Sequence, residues 1–311
     1  MKVLVGVDGS SNSYAAVDFI GRLLSPERDE LVLFYATPQM SFGGDEQLDI
    51  AVEQRARAAL SRTVLDEALA RLPEAWRSQT EQMAVAGAAN VELLSAAEST
   101  GADLVTVGFR GAGLMERFVL GSVSRAVVHS AKVPVLVVKS EPTSDKGVER
   151  PAGAADKATR VLVTYDEAMT GEKVAAVLAR FSWPPDTTGS VMTVVPPLHL
   201  AELPPWLRHA VRDPDVQAMA DAWQREHEQS VEQARDALGQ FQRALPKPFA
   251  TSKPMVEEGR PAEKILAKLA QQSFDLVVVG SRGSGAVERL LIGSTSSQVL
   301  TQSPCSVLVV R

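Results

Sequence analysis

The chain has 311 residues, which leaves room for about two domains at roughly 150 residues each, and its 45% apolar and 23% charged composition is that of a globular protein, not a disordered or fibrous one. A formal net charge of −6 gives a nucleic-acid backbone no diffuse attraction and leaves only a local anion site open. The single cysteine, Cys305, builds neither an intrachain disulfide nor a paired-cysteine zinc site, and no apolar run approaches the roughly 20 residues of a membrane span.

The first segment, KVLVGV at Lys2 to Val7, predicts a strand buried on both faces, with too few apolar residues before Asp8 for a signal-peptide core. The chain reads as neither exported nor membrane-spanning, and its lone Cys305 suits a reducing compartment, so the expected location is cytoplasmic. Next, Ala16, Val17, Ile20, Leu23 and Leu24 fall on one face of a helix. LVLFYA at Leu31 to Ala36, TEQMAV at Thr80 to Val85, DLVTVG from Asp103 and VPVLVV up to Val138 predict four more strands, with helices over roughly 49–72, 91–99 and 122–131. From Lys139 to Thr159 large apolar residues are scarce and Pro, Gly, Ala and charge abound, so residues 141–158 are expected to be a linker. RVLVTY, SVMTVV, ATSKPMVE, DLVVVG and CSVLVV then repeat the strand order. Strands joined by crossover helices imply a parallel sheet covered on both faces. The expected fold class is α/β: two tandem doubly wound domains, 1–140 and 159–311.

Self-comparison fixes this organisation. DLVTVGFRGAGLMERFVLGSVS at Asp103 to Ser124 returns as DLVVVGSRGSGAVERLLIGSTS at Asp275 to Ser296, displaced by 172 positions, whereas Asp8 maps to Asp166 at 158. An insertion of 14 residues therefore lies between Pro196 and Gly259. The enlarged segment carries Trp206 and Trp223; it reads as a helix packed on its own domain, with a lid or partner surface as the sharper alternative.

In open α/β sheets ligands bind beyond the carboxyl ends of the strands. Those ends carry Asp8, Gly9 and Ser10 after strand one, Gly108 to Gly113 after strand four, and Gly121 and Ser122 at the opening of the next helix. Glycines permit close approach of backbone to a bulky anion, and a helix start offers unpaired N–H groups beside the positive end of the helix dipole. Gly280, Gly283, Gly293 and Ser294 repeat the pattern. The spacing, G-x-x-G, nine residues, then G-S, is neither a P-loop nor a dinucleotide fingerprint.

This spacing, after a DLVxVG strand and before a helix and a VLVV strand, resembles the ATP-binding motif of the universal stress protein family. VLVGVDGS at Val3 to Ser10, AVAGAANVELLSAAESTGADLVTVG and VEEGRPAEKILAKLAQQSFDLVVVG extend the resemblance over both halves. It implies five strands per domain in the order 3-2-1-4-5 and ATP, or AMP or ADP, in the cleft between strands one and four, with any Mg2+ carried by the phosphates. Carried over by residue, the resemblance assigns Asp8 with Gly9, and Asp166, to the end of strand one, and Ala36 and Val194 to positions beside adenine. By the same resemblance, phosphate contacts fall to Gly108, Arg110, Gly111, Gly121, Ser122 and Ser124 in the first half, with Val107, Gly113 and Val123 also in the nucleotide site. In the second half the phosphate contacts are Gly280, Arg282, Gly283, Gly293, Ser294 and Ser296, with Val279, Gly285 and Thr295 beside them. Two departures stand out: Asp8-Gly9-Ser10 becomes Asp166-Glu167-Ala168, and Phe109 replaces a usually small residue.

Blander roles compete at each position. The glycines also suit tight strand-to-helix packing, Asp8 and Asp166 suit loop caps, and Arg110 and Arg282 suit solvated loop positions. His129, His199, His209 and His227 lack ligand spacing, so no metal site is expected. The resemblance implies stress response or signalling through nucleotide-dependent conformation and a protein partner; charge and the lack of long apolar runs argue against a nucleic acid or a membrane. In the family the fifth strands of two domains pair; VPVLVV and CSVLVV are placed to do so within one chain, and a homodimer of the tandem chain is the further expectation. The rivals are a slow ATPase, which lacks an identifiable general base and for which no catalytic residue is assigned, and a nucleotide-free interaction scaffold.

Overall fold

In the computed structural model, which describes residues 1–37, 50–111, 119–140, 159–166, 171–197, 214–281 and 292–311, each half alternates strands and helices. The first runs β1 (Lys2–Gly6), α1 (Ser11–Gly21), β2 (Glu30–Thr37), α2 (Ile50–Arg71), α3 (Glu74–Arg77), β3 (Glu81–Ala86), α4 (Ala89–Thr100), β4 (Leu104–Gly108), α5 (Ser122–Ser130) and β5 (Val135–Val138). The second runs β6 (Arg160–Tyr165), α6 (Gly171–Arg180), β7 (Thr188–Val195), α7 (Pro214–Ala244), α8 (Lys247–Ala250), β8 (Met255–Glu258), α9 (Pro261–Gln271), β9 (Leu276–Gly280), α10 (Ser294–Gln302) and β10 (Ser306–Val310).

The ten strands form one sheet in the order β3-β2-β1-β4-β5-β10-β9-β6-β7-β8. Within each half the pairing is parallel and the order is 3-2-1-4-5, as the resemblance implies. Continuous apolar runs suit these strands because both faces are covered. Val3 and Val5 join the apolar layer shared with α1 and α2, while Leu4 faces the layer shared with α4 and α5. Trp76 in α3 and Phe249 in α8 are fully buried in matching positions of the two halves.

The eighth strand is shorter than the sequence suggests. Ala250 belongs to α8, which follows Pro246, and the strand starts only after Pro254, whose missing N–H cannot join a ladder. The long helix α7 has 31 residues against 22 in α2, and its buried side chains, Ala234, Leu238, Phe241 and Gln242, lie toward its carboxyl end. Met219 and Trp223, nearer its amino end, are exposed. Trp206 and the expected linker lie outside the described residues. No helix among the described residues is long and apolar enough to cross a membrane.

The halves meet edge to edge. β10 pairs antiparallel with β5 through Val307↔Val137, Leu308↔Leu136 and Val309↔Val135, all of them fully buried. Valine-rich edges left open would template pairing with other chains, and joining them removes that exposure. Arg180 of α6 grips Asp103 through two hydrogen bonds of 3.0 and 2.7 Å, which hold the carboxyl below its usual range, and Ser182 N donates to Leu23 O at 2.7 Å. Lys139, just past β5, donates to Ser303 O and lies 3.9 Å from the centre of the Phe109 ring.

Burial lowers the Lys139 pKa to about 8, with Cys305 opposing and Arg110 assisting the shift. The folded chain therefore binds this proton more weakly than the unfolded chain, and stability should rise with pH between about 8 and the ordinary 10.5. We expect wild type to gain on the order of 2 kcal/mol relative to Lys139→Met between pH 7.5 and 10, at 1.36 kcal/mol per pKa unit. Paired denaturant melts at the two pH values measure it; a gap that stays constant would contradict the assigned burial of the ammonium group.

Candidate functional site

Between the carboxyl ends of β1 and β4 lies a cleft of about 240 Å3. Its apolar side is built from Gly6, Val7, Phe34, Ala36, Ala89, Leu93 and Val107; its polar side from Asp8, Ser13, Arg110, Gly111 and the opening of α5 at Gly121, Ser122, Val123 and Ser124, with Val119 beside them. One end is thus shaped for a flat apolar group and the other for an anion.

The turn after β1 is held by its own hydroxyls. Ser10 caps α1 by accepting from Ser13 N at 3.2 Å, and the same hydroxyl donates to Arg110 O at 3.2 Å. That bond ties the loop after β1 to the loop after β4. Ser13 Oγ accepts from Asp8 N at 3.3 Å and donates to Ser10 O at 2.9 Å. Gly9 turns the chain with φ of +81°, a conformation that side chains disfavour. Asp8 is exposed, accepts from Ser10 N at 3.0 Å, and its carboxylate lies against Gly111.

The loop after β4 is closed by backbone bonds. Phe109 N donates to Val138 O at 2.7 Å and Gly121 N donates to Phe109 O at 2.9 Å, which brings the start of α5 over the end of β4. No side chain caps α5 at Gly121; the first intrahelical bond there runs from Arg125 N to Gly121 O. The N–H groups of Ser122, Val123 and Ser124 therefore have no acceptor within the helix and sit at the positive end of its dipole. The Ser124 hydroxyl donates to Gly108 O at 2.6 Å, so its proton is committed and Ser124 has its backbone N–H to offer. Arg110 Nε donates to Val119 O at 3.1 Å, which fixes the guanidinium at the cleft edge.

Gly108 lines the cleft and is also packed closely against α1. A Cβ there would stand 2.7 Å from Asn12 C and 2.8 Å from Ser13 N, both backbone atoms of α1. At Gly121 the nearest atoms would be 3.4 Å away, an ordinary contact. Gly108→Ala should therefore cost about 1–3 kcal/mol of stability through overpacking, and Gly121→Ala less than about 1 kcal/mol. Chemical denaturation of both variants checks this; equal costs would contradict the distinction.

The second half repeats the loop closure: Ser281 N donates to Val310 O at 2.7 Å, Gly293 N to Ser281 O at 2.6 Å, and Ser296 Oγ to Gly280 O. Ser294 and Thr295 begin α10, again with no side-chain cap at Gly293. Asp166 is exposed at the end of β6, and Val194 and Val279 occupy the positions of Ala36 and Val107. Gly113, Arg282, Gly283 and Gly285 lie outside the described residues, as do Glu167, His199 and His209.

Sequence reasoning did not single out Gly6, Ser13, Phe34, Ala89 or Leu93 as cleft residues. Gly6 was the legible signal, because a glycine inside an otherwise apolar strand marks a close approach; here Leu93 Cδ2 would be 3.1 Å from its Cβ. Among the described residues no group of three His, Cys, Asp or Glu side chains is placed to hold a metal ion. Cys305 is buried, with a thiol pKa raised chiefly by desolvation.

Comparison with known proteins points one way. The sequence model of the universal stress protein family matches residues 1–139 and again 157–311. A universal stress protein of Mycolicibacterium smegmatis is 26% identical over 314 aligned positions, covering 99% of this chain and 96% of that protein. One from Mycobacterium tuberculosis is 31% identical over 217 positions, covering 68% of this chain and 63% of its own length. The crystal structure of a universal stress protein from Archaeoglobus fulgidus superposes with a TM-score of 0.60 at 23% identity, covering 100% of this chain and 96% of that one, and shares the fold.

Proposed function

Because the chain belongs to the universal stress protein family, with the family's sequence model matched in each half, we propose that it binds an adenine nucleotide in the first-half cleft and acts through a surface that the bound nucleotide alters. The observation that carries this reading is the uncapped start of α5 facing the same cleft as the apolar wall of Gly6, Ala36 and Leu93. Three N–H donors and Arg110 suit phosphate oxygens. The apolar wall suits a purine ring. Asp8, an acceptor when ionised, suits ribose hydroxyls or the water shell of a phosphate-bound Mg2+.

The residues fit the nucleotide on chemical grounds. A phosphate chain needs donors that carry no competing acceptor, and the opening turn of α5 supplies them. In this reading Ser10 keeps the two loops in register, Phe109 O holds Gly121 in place, and Arg110 neutralises charge at the cleft edge. Binding by itself supplies no turnover, and in this reading Asp8, the carboxylate beside the cleft, serves the ribose or the water shell of Mg2+ and not an attacking water. We therefore favour a nucleotide-dependent binding protein over an ATPase. Changes in surface require that the two conformations differ in nucleotide affinity.

Native mass spectrometry of gently purified protein tests the reading. A mass increment equal to ATP, ADP or AMP is expected, while a chain that carries no nucleotide and gains none on adding ATP would support the scaffold alternative. Single-turnover assays separate the enzyme: hydrolysis no faster than in buffer is expected.

A further inference from the structure

The two halves differ where they should match if both held a nucleotide. β1 and β6 occupy the same place in the sheet, with Gly6 paired to Phe34 and Thr164 paired to Met192. Thr164 thus stands where Gly6 opens the first cleft, and its hydroxyl donates to Val278 O at 2.9 Å. Val194 replaces Ala36 on the second strand, and Pro261 replaces Ala89 at the first residue of the helix that closes the cleft. Each exchange adds side-chain atoms on the wall that faces the flat apolar group. The reverse exchange, Phe34 to Met192, lies at the buried floor.

The polar turn differs as well. Ser10 and Ser13, whose hydroxyls hold the loop after β1 and tie it to Arg110 O, correspond to Ala168 and Gly171. Neither replacement has a hydroxyl to offer. At Gly171 the space is taken from another side: a Cβ there would stand 2.9 Å from Cε2 of Tyr165, whose ring stacks on Phe241 at 4.7 Å. The helix start at Gly293 and Ser294 survives unchanged.

From these differences we infer that the chain binds one nucleotide, in the first half, and that Thr164, Val194 and Pro261 are the residues that exclude it from the second. The inference rests on the nucleotide-binding reading above. A large group in a cleft loses affinity when the wall moves inward by even a methyl group or two, because close-packed surfaces do not yield freely. The second half keeps its place in the shared sheet and supports the first through the β5 and β10 pair.

Equilibrium dialysis of ligand-stripped protein against radiolabelled ATP measures the stoichiometry. One nucleotide per chain is expected for wild type and for Gly293→Val, and none for Gly121→Val at the same ATP concentration. Transplanting the second-half residues in Ala36→Val with Ala89→Pro, where proline suits the first position of a helix, should weaken binding at least tenfold without unfolding the protein. Two nucleotides per wild-type chain, or loss of the single site in Gly293→Val, would overturn the inference. Failure of wild type to bind at all would instead remove the nucleotide reading on which it stands.

Discussion

Gly121→Val is expected to lower ATP affinity by at least about a hundredfold, about 2.8 kcal/mol at 1.4 kcal/mol per factor of ten, while moving the melting temperature by only a few degrees. The backbone at Gly121 has φ of −58° and ψ of 147°, which valine adopts without strain. Its Cβ would stand 3.4 Å from Arg110 Cα and from Phe109 O, so the methyl groups grow into the gap between the loop after β4 and the start of α5. That gap is where a phosphate chain would approach the N–H groups of Ser122, Val123 and Ser124. Several charge-assisted hydrogen bonds are lost together, each stronger than a neutral one. Direct binding measurements beside circular dichroism check the claim; an affinity within threefold of wild type in a folded variant would show that the phosphates lie elsewhere.

Leu308→Asp should be the most damaging single change at the seam between the halves. Leu308 pairs with Leu136 across the antiparallel contact of β10 and β5, and both are fully buried. A carboxylate there has neither water nor a basic partner from the opposing strand, whose described residues are valines and a leucine. We expect a loss of more than about 4 kcal/mol, the range reserved for buried unpaired charge and similar defects. Because ten strands share one sheet, the loss should lower the melting temperature of the whole chain. Thermal unfolding of the variant measures it, and a change smaller than about 1 kcal/mol would contradict a rigid β5 and β10 junction.

Much of this architecture is legible in the sequence, for a physical reason. A duplicated βα order permits few parallel topologies, and alternate coverage of both sheet faces forces the apolar runs at Val3 to Val7 and Leu276 to Val279 that identify the strands. The ladder between VLVV at Val135 to Val138 and its repeat came from the resemblance, and two valine-rich edges that need covering make it physically reasonable. What the sequence hides is which group a residue serves. Gly108 lines the cleft and also receives α1; Ser124 lines it too, with its hydroxyl proton given to Gly108 O and its backbone N–H left to offer. The cleft wall was equally hidden, since Phe34, Ala89 and Leu93 come together only when β2 and α4 settle on the same side of β1. Loop residues carry the clearest motif and helix residues complete the cavity.

The asymmetry between the halves shows first in the sequence, and the register adds its cleft-wall part. Aligning Asp8 with Asp166 exposed the loss of Ser10 and its hydroxyl, but the enlargement from Gly6 to Thr164 gains meaning once both residues are seen at the same point of the sheet. Phe109 gains meaning the same way. Its ring centre lies 5.4 Å from the Arg110 guanidinium and 3.9 Å from the Lys139 ammonium, so a residue that departs from the small side chain of the resemblance contacts groups of both the cleft edge and the seam.

The central claim is that the first-half cleft holds an adenine nucleotide by its phosphate tail and its base. Titration calorimetry of ATP into ligand-stripped protein, run at two temperatures, tests it most directly. The account predicts a saturable signal that fits one nucleotide per chain and disappears in Gly121→Val; no saturable heat at either temperature with folded wild-type protein would contradict it.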